Sequence, residues 1–266
     1  MKKRILLLVL ALAMVASAAA LTACKKDEGD TADAVSSIRD RGVLNVGVKS
    51  DVPNFGLLNT ETNEYVGMEI DLAKKLALEI FGDETKVKFT PVTAATRGPL
   101  LDTGDIDMVI ATFTIKPERL ESWNFSTPYY TDHVGILVKT DAGYKSLADL
   151  DGKSIGVAQA ATSRDAIQAA ADELGITVSF QEFASYPEIK AALDSKRVDA
   201  FSVDKSILSG YLDASVEILP DDFSPQDYGI ATKLTNKELA AWVDDLVTTW
   251  LDDGTFAAWR ANYPGI

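Results

Sequence analysis

The chain has 266 residues, of which 47% are hydrophobic and 25% charged, and its formal net charge is -14 at pH 7. This length and hydrophobic content are typical of a folded protein with one large or two medium-sized cores, and they exclude disorder for most of the chain. The negative charge argues against a nucleic-acid partner, because phosphate binding requires a positive field. An anionic ligand would therefore need locally concentrated positive charge.

The N-terminal segment is predicted to direct export. A basic start (KKR, residues 2–4) precedes an apolar run over residues 5–20, which is the pattern of a signal peptide. A retained single transmembrane anchor is the alternative, because the apolar run approaches the length of a membrane span. The sequence LTAC, which ends at Cys24, resembles the lipobox of bacterial lipoproteins. This resemblance implies a signal peptide over residues 1–23, lipidation of Cys24 and anchoring on the extracytoplasmic face of the cell membrane.

The cysteine and histidine content narrows the chemistry. Cys24 is the only cysteine and His133 the only histidine, which leaves no disulfide, no cysteine metal cluster and no Ser-His-Asp set. We therefore predict no catalytic residue, no metal and no cofactor. Residues 24–35 are polar and charged without apolar periodicity, and we expect them to form a flexible tether before a folded part that begins near Ser36.

Beyond the tether, strand and helix patterns alternate along the whole chain. This alternation predicts the α/β class with doubly wound, mostly parallel sheets. Short β-rich runs predict strands over residues 43–48, 87–92, 106–110, 154–159, 178–183, 198–203 and 228–232. Apolar residues at helical spacing predict helices over residues 68–81, 163–174 and 236–251, and through residues 189–193.

Two segments of the chain repeat one another. LLDTGDIDMVIAT, from Leu100, and ALDSKRVDAFSVD, from Ala192, align without a gap. This alignment predicts two related lobes. Lobe 1 would comprise residues 36–139 and 229–266, and lobe 2 residues 140–228. The chain would then cross between the lobes near Lys139 and near Tyr228, and two crossings form a natural hinge.

Polar residues follow the predicted strands, where ligands gather in open α/β sheets. Gly98 and Pro99 predict a helix start, so we expect Arg97 to lie just outside a helix N-terminus, which itself favours an anion. The alignment of the two repeats also places Thr112 opposite Asp204. The candidates that follow strands are Lys49, Arg97, Thr112, Thr114, Arg119, Thr162 and Asp204.

Several segments together resemble a known family. GVLNVGVKSDVPNFG, YVGMEIDLAKKLA, LLDTGDIDMVIATFTIKPERLESWNFSTPYY and KSLADLDGKSIGVAQAATS are similar to the extracellular amino-acid-binding proteins that feed bacterial ABC importers. The resemblance covers residues 38–264. It implies a two-lobe periplasmic-binding-protein-like (type II) fold, a monomer and delivery of the ligand to an ABC permease in the membrane. TRGPLLD, VAQAATS and RVDAFSVDKSIL most resemble the aspartate/glutamate binders.

The resemblance also implies roles for the ligand's α-groups. Arg119 matches the arginine that clamps the α-carboxylate, with help from Thr114 and Thr162, and its fork geometry suits that bidentate contact. Asp204 matches the carboxylate that receives the α-ammonium, with Thr112 assisting.

A second group of residues would receive the ligand side chain. Arg97 and Lys49 match the positive groups that bind a side-chain carboxylate, and Tyr186, at a strand-to-helix junction, is a further candidate. The alternative to a binding role is that Arg97 and Lys49 are ordinary solvated side chains.

Charge matching supports an acidic ligand. Glutamate or aspartate has two carboxylates and one ammonium, which complement Arg97, Arg119 and Asp204. A neutral side chain would leave Arg97 buried without a counter-ion in the closed cleft, at a cost on the order of 3–5 kcal/mol. We therefore predict a binding protein for glutamate or aspartate.

Three other functions remain open from the sequence. The first is binding of glutamine or another polar amino acid. The second is a dehydratase of the cyclohexadienyl type built on the same fold, which would need a carboxylate as proton donor in the cleft. The third is a surface adhesin or the sensor half of a signalling receptor.

Overall fold

The structure, a computed structural model, describes residues 34–264. The predicted signal peptide, Cys24 and residues 24–33 of the predicted tether lie outside the described residues. Residues 34 and 35 are not part of a tether, because the first helix, Ala34–Arg41, already includes them and buries Val35. Within residues 34–264, no helix combines the length and apolarity that crossing a membrane requires.

Helices and strands alternate throughout the described residues. The first half contains α1 (Ala34–Arg41), β1 (Leu44–Val48), β2 (Asp51–Val52), β3 (Gly56–Asn59), β4 (Glu64–Val66), α2 (Met68–Phe81), β5 (Val87–Pro91), α3 (Arg97–Thr103), β6 (Met108–Ile110), α4 (Pro117–Leu120) and β7 (Trp123–Phe125). The second half contains β8 (Tyr130–Lys139), β9 (Ser154–Ala158), α5 (Ser163–Leu174), β10 (Ser179–Phe183), α6 (Tyr186–Asp194), β11 (Ala200–Asp204), α7 (Lys205–Ser209), β12 (Val216–Ile218), β13 (Phe223–Tyr228), β14 (Ala231–Lys233), α8 (Lys237–Asp252) and α9 (Thr255–Arg260).

Two large sheets form the centres of two lobes. The first has the strand order β5-β1-β6-β14-β7, and the second has the order β10-β9-β11-β8-β12, with β13 also paired to β8. In each sheet the first three strands pair in parallel, and every remaining pairing is antiparallel. The predicted two-lobe α/β fold is therefore confirmed, with mixed rather than mostly parallel sheets. The C-terminal helix α8 packs on the first lobe against α1, β7 and β14.

The first crossing between the lobes lies earlier than the sequence predicts. Strand β8 pairs with β11 and β13, so it belongs to the second sheet, and the chain leaves the first lobe over residues 126–129 and not near Lys139. The predicted strand over residues 228–232 is in fact two strand ends in different sheets. The apolar run that begins at His133 indicates burial, but burial alone does not specify which sheet a strand joins.

The two crossings run side by side. The Ser126 N–H donates to the carbonyl of Ile230 at 3.0 Å, and the Ile230 N–H donates to the Ser126 hydroxyl at 3.0 Å. The Tyr129 N–H donates to the carbonyl of Tyr228 at 2.9 Å. The lobes are thus connected by a short pair of hydrogen-bonded segments.

The repeat seen in the sequence is a repeat in structure. The Asp107 carboxylate accepts the Asn45 N–H at 2.8 Å, and the Asp107 N–H donates back to the Asn45 carbonyl at 2.9 Å. In the second lobe Asp199 makes the same two bonds with Ser154, at 2.9 and 2.8 Å. Each aspartate therefore ties the start of the third strand of its sheet to the second strand, and we call these two residues the framework aspartates.

A glycine occupies the same place in the second strand of both sheets, β1 and β9. Gly47 is in register with Val109, and Gly156 with Phe201, which are equivalent positions in the repeat. A Cβ on Gly47 would lie 2.6 Å from Cδ1 of Ile106, and a Cβ on Gly156 would lie 2.6 Å from Cγ2 of Ile189. In both lobes the strand can approach the covering side chain only because the residue has no Cβ.

Candidate functional site

The eight candidate ligand residues lie on facing rims of the two lobes, at the ends of strands or the starts of helices. All are buried except Arg119, which is half-buried. Contacts cross between the lobes at several of these positions. The first lobe contributes Lys49, Arg97, Thr112, Thr114 and Arg119, and the second contributes Thr162, Tyr186 and Asp204.

Arg119 spans the two lobes. Its Nη1 donates to the carbonyl of Thr114 at 2.7 Å, and its Nη2 donates to the carbonyl of Ala160 in the second lobe at 3.3 Å. Burial, with the nearby charge of Arg97 acting in the same direction, lowers the pKa of Arg119 to about 9. The guanidinium remains protonated at neutral pH, and an anion placed beside it would be stabilised.

Thr114 and Thr162 meet at a residue that the sequence did not single out. Both hydroxyls donate to Oε1 of Gln226, at 2.8 and 2.7 Å, one from each lobe. Gln226 is fully buried, and its Nε2 donates to the carbonyl of Ser224 at 2.8 Å. The two threonines proposed to assist at the α-carboxylate are therefore brought together across the lobes by one amide oxygen.

Asp204 ends β11 inside a buried polar cluster. The Tyr228 hydroxyl donates to Asp204 Oδ2, and Asp132 lies close by, held by the Ser206 N–H at 3.0 Å. Burial raises the pKa of Asp204 to about 7, the Tyr228 bond opposes that rise, and the charge of Asp132 adds to it. A cation beside Asp204 would favour the ionised carboxylate.

Arg97 is the first residue of α3 and does not lie outside the helix as predicted. The Arg97 N–H already donates to the carbonyl of Thr93 at 3.2 Å, and the Thr93 N–H donates to the hydroxyl of Thr96 at 2.9 Å. The threonines of TAAT thus form the start of the helix, so that Gly98 and Pro99 fall inside it.

The Arg97 side chain is 3% exposed, so it is not a solvated surface arginine. Its Nη1 donates to the carbonyls of Ala111 and Thr112, at 2.7 and 3.1 Å. The guanidinium also lies over the ring of Phe113, with its carbon 3.9 Å from the ring centroid, and Arg119 approaches the same ring at 4.9 Å. Phe113 therefore contacts both arginines and separates them. This role was not evident from the sequence, in which Phe113 simply lies between two threonines.

Lys49 is buried and paired, which makes the interpretation of a solvated strand-end lysine wrong. The side chain is 2% exposed, and its Nζ lies 3.1 Å from Oδ1 of Asp51. The same Nζ lies 4.4 Å from the ring centroid of Tyr186 in the other lobe, a cation-π contact. Burial lowers the pKa of Lys49, and Asp51 opposes that shift.

Glu69 belongs to the site but was missed from the sequence. It lies in the first turn of α2, and its Oε1 accepts the Thr112 N–H at 2.6 Å and the Tyr129 hydroxyl at 2.5 Å. Burial raises the pKa of Glu69 to about 7, while those two hydrogen bonds act in the opposite direction. A signal was present, because Glu69 falls on the apolar helix face shared by Leu72 and Leu76.

No group of three or more His, Cys, Asp or Glu side chains within residues 34–264 is arranged to hold a metal ion. The polar groups of the site are instead cations and anions spread over two facing rims. Such an arrangement can bind a small molecule that carries both charges.

Comparison with known proteins identifies the class. Residues 44–265 match the family described as bacterial extracellular solute-binding proteins, family 3, and the chain belongs to that family.

Individual relatives cover most of the chain. The sequence is 35% identical to a glutamine-binding protein of Geobacillus stearothermophilus, over 86% of this chain and 92% of the relative. It is 31% identical to the glutamate-binding protein GluB of Corynebacterium efficiens, over 92% of this chain and 85% of the relative. The fold superposes with a TM-score of 0.75 and 32% identity on an ancestral amino acid-binding protein described as a precursor of cyclohexadienyl dehydratase, covering 86% of this chain and 99% of that structure.

Proposed function

We propose that this protein captures an acidic amino acid, glutamate or aspartate, outside the cytoplasm and delivers it to an ABC permease. The observation that carries the proposal is a set of unpaired charges. No carboxylate of residues 34–264 forms an ion pair with Arg97 or Arg119, and no cation of those residues pairs with Asp204. Two cations and one anion complement the two carboxylates and one ammonium of an acidic amino acid.

The ligand would lie across the cleft. Arg119 would receive the α-carboxylate, Asp204 the α-ammonium and Arg97 the side-chain carboxylate. Lys49 is already neutralised by Asp51, so its contribution would be to hold Tyr186 against the first lobe. Because the two α-groups are bound from opposite lobes, the ligand favours the closed arrangement of the lobes. The closed protein would then be presented to the permease.

The proposal includes the cellular location. Cleavage before Cys24 and lipidation of that residue would anchor a monomer at the extracytoplasmic face of the membrane. Family membership supports an extracytoplasmic location. Labelling of Cys24 with a fatty-acid analogue in cells, lost in Cys24→Ser, tests the anchor.

Glutamine is the second candidate ligand. The 35% identical relative is a glutamine-binding protein, and the carboxyl group of Glu69 could balance the charge of Arg97 without a ligand carboxylate. The α-carboxylate and α-ammonium of glutamine would bind Arg119 and Asp204 in the same way as those of glutamate. The two candidates therefore differ only at the Arg97 end of the site.

Calorimetry decides between them. Wild type and Arg97→Ala are titrated with glutamate, aspartate, glutamine and asparagine, with Arg164→Ala as a matched control because Arg164 is an exposed arginine paired with Glu182. We expect wild type to prefer the acids, and Arg97→Ala to lose roughly a hundredfold in affinity for them, about 3 kcal/mol. The control should match wild type. Equal wild-type affinities for glutamine and glutamate at about pH 6, or full affinity for the acids in Arg97→Ala, would contradict the acidic specificity.

A dehydratase is the remaining alternative. Asp204 and Glu69 are buried carboxyl groups with pKa values raised to about 7, a property that suits a proton donor. The two relatives described above carry the names of binding proteins, which favours the binding function. We expect no turnover when purified protein is incubated with prephenate or arogenate, and product formation in that assay would replace the binding function with an enzymatic one.

A further inference from the structure

Glu69 is connected to Arg97 through a single residue, Thr112. The Thr112 N–H donates to Glu69 Oε1 at 2.6 Å, and the Thr112 carbonyl accepts Arg97 Nη1 at 3.1 Å. Thr112 has φ of 46°, a left-handed conformation that is uncommon for a β-branched residue. The Glu69 carboxyl group therefore helps to hold the turn that positions Arg97.

Three polar atoms of this connected group have no hydrogen-bond partner among the described residues. They are Oε2 of Glu69, Nε of Arg97 and Oγ1 of Thr112, and all three are buried. An unpaired buried polar atom is unfavourable, so a cluster of them on residues already linked to one another points to a ligand group. Together they offer an N–H donor, a hydroxyl and a carboxyl oxygen. The carboxyl oxygen accepts a hydrogen bond when Glu69 is ionised and can donate one when Glu69 is protonated.

Other charged and titratable groups surround Glu69. Tyr129, from the first crossing, donates its hydroxyl to Oε1 at 2.5 Å. Arg97 and Lys49 act on Glu69 electrostatically from two other segments of the first lobe, and Tyr186 does so from the second lobe. The two cations favour the carboxylate, whereas complete burial favours the neutral acid. Neither form is overwhelmingly preferred by its surroundings.

We propose that Glu69 discriminates the end group of the ligand side chain: as a carboxylate it accepts an amide N–H, and as a carboxylic acid it donates its proton to a ligand carboxylate. This inference rests on the proposed function, which places the ligand side chain beside Arg97. The proton balance is explicit. Glutamate binding to ionised Glu69 takes up one proton from solvent, and glutamine binding to protonated Glu69 releases one.

The pH range of the effect follows from the same group. Burial raises the pKa of Glu69 to about 7, so the free protein passes from mostly protonated near pH 6 to mostly ionised near pH 8. Between those pH values we expect glutamate affinity to fall about tenfold and glutamine affinity to rise about tenfold. The ratio of the two affinities therefore changes by roughly a hundredfold.

The ratio isolates Glu69 from the other titrating groups. Asp204 also has a pKa raised to about 7, but glutamate and glutamine present it with the same α-ammonium. Its titration changes both affinities equally and cancels in the ratio. The same holds for any group that contacts only the α-groups of the ligand.

The test is calorimetric titration of wild type with glutamate and with glutamine at about pH 6, 7 and 8, in two buffers of different ionisation enthalpy. The buffer dependence counts the protons exchanged. Asp204 releases the same number of protons when it receives the α-ammonium of either ligand, so the diagnostic quantity is the difference between the two titrations. We expect glutamate to take up about one proton more than glutamine at every pH. Tight binding of either ligand with a ratio independent of pH would overturn the inference and leave the proposed function intact. Absence of binding by both ligands at every pH would overturn both.

Two variants identify the group responsible. Glu69→Gln retains an oxygen for the Thr112 N–H and the Tyr129 hydroxyl but does not titrate, so the affinity ratio should become independent of pH. Glu79→Gln, at an exposed position of the same helix, should keep the wild-type pH dependence. A pH-dependent ratio that persists in Glu69→Gln would assign the effect to another group and overturn the inference. The difference between the wild-type proton counts for glutamate and glutamine decides the question even if Glu69→Gln fails to fold, and equal counts for the two ligands would overturn the inference.

Discussion

The two lobes share a framework and differ at their rims. Asp107 and Asp199 make the same pair of backbone bonds in their respective sheets. At the ends of those same strands, Thr112 of the first lobe is matched by Asp204 of the second. The first lobe thereby presents unpaired cations, and the second presents an unpaired carboxylate. The repeated backbone thus fixes the geometry of both lobes, whereas a few side chains at the strand ends give the two facing rims unpaired groups of opposite charge.

Arg119→Ala should have the largest effect, because it removes the rim cation that already reaches the opposite lobe. We expect affinity for every amino-acid ligand to fall about a thousandfold, on the order of 4 kcal/mol, without a change in side-chain preference. Calorimetry with glutamate and glutamine measures both quantities. Arg119→Lys keeps the charge but loses the fork, and should fall between wild type and alanine. A loss confined to the acidic ligands would contradict the role at the α-carboxylate.

The rim carboxyl groups should also make stability depend on pH. Burial raises the pKa of Glu69 from its ordinary value of 4.5 to about 7. The unfolded chain releases this proton as the pH rises through 4.5, and the folded chain does so only near 7. The stability that Glu69 contributes is therefore complete below about pH 4.5 and lost as the pH rises to about 7.

Glu69→Gln separates this contribution from that of other groups. Relative to wild type, its free energy of unfolding should increase between about pH 4.5 and 7, by up to about 3 kcal/mol. Urea denaturation across this range without ligand measures the difference. The exposed Glu79→Gln variant should show no such trend, and a constant difference between Glu69→Gln and wild type would mean that the buried group does not titrate here.

Loss of a framework aspartate should lower stability and leave ligand choice unchanged. Asp107→Ala and Asp199→Ala each remove the acceptor of a partly buried backbone N–H, which should cost about 1–3 kcal/mol. The cost should be similar in the two lobes, because each aspartate also accepts one side-chain hydrogen bond, Asp107 from Arg41 and Asp199 from the Ser154 hydroxyl. Urea denaturation measures the loss in the free energy of unfolding. If either variant changed the ratio of glutamate affinity to glutamine affinity, the framework aspartates would contribute to ligand choice, contrary to this prediction.

The smallest effect is expected at the paired glycines. Gly47→Ala and Gly156→Ala each place a Cβ 2.6 Å from an isoleucine carbon, and relief of that contact should cost about 1–2 kcal/mol. Thermal denaturation of the two single variants gives the comparison directly. Unequal losses would show that one lobe repacks more readily than the other around the same strand position.

Much of the fold was predictable because it depends on local pattern. The helices over residues 68–81 and 163–174 have the predicted bounds, since apolar residues at helical spacing end at Gly82 and Gly175. The lobe to which β8 belongs was not predictable, because its apolar residues are compatible with either sheet. Membership is set by antiparallel pairing with β11, a long-range contact with no local signal.

The site was predictable to a different degree. Strand ends and family resemblance led to eight residues that the structure places on facing rims, seven of them buried and Arg119 half-buried. Their roles at the ligand stay predictions. Gln226 and Phe113 were missed because each acts through partners distant in sequence. Glu69 was overlooked because a charged residue in the first turn of a helix is ordinarily attributed to the helix dipole.

The hydrogen bonds of Gln226 constrain how any ligand is held. A hydroxyl group can donate one hydrogen bond, and the hydroxyls of Thr114 and Thr162 both donate theirs to Gln226 Oε1. A ligand carboxylate can only accept hydrogen bonds. It can therefore bind these two hydroxyl groups only if it displaces the amide oxygen of Gln226. The chain's own glutamine thus competes with the carboxylate of every amino acid, whatever its side chain. Such competition weakens all ligands alike and favours their release.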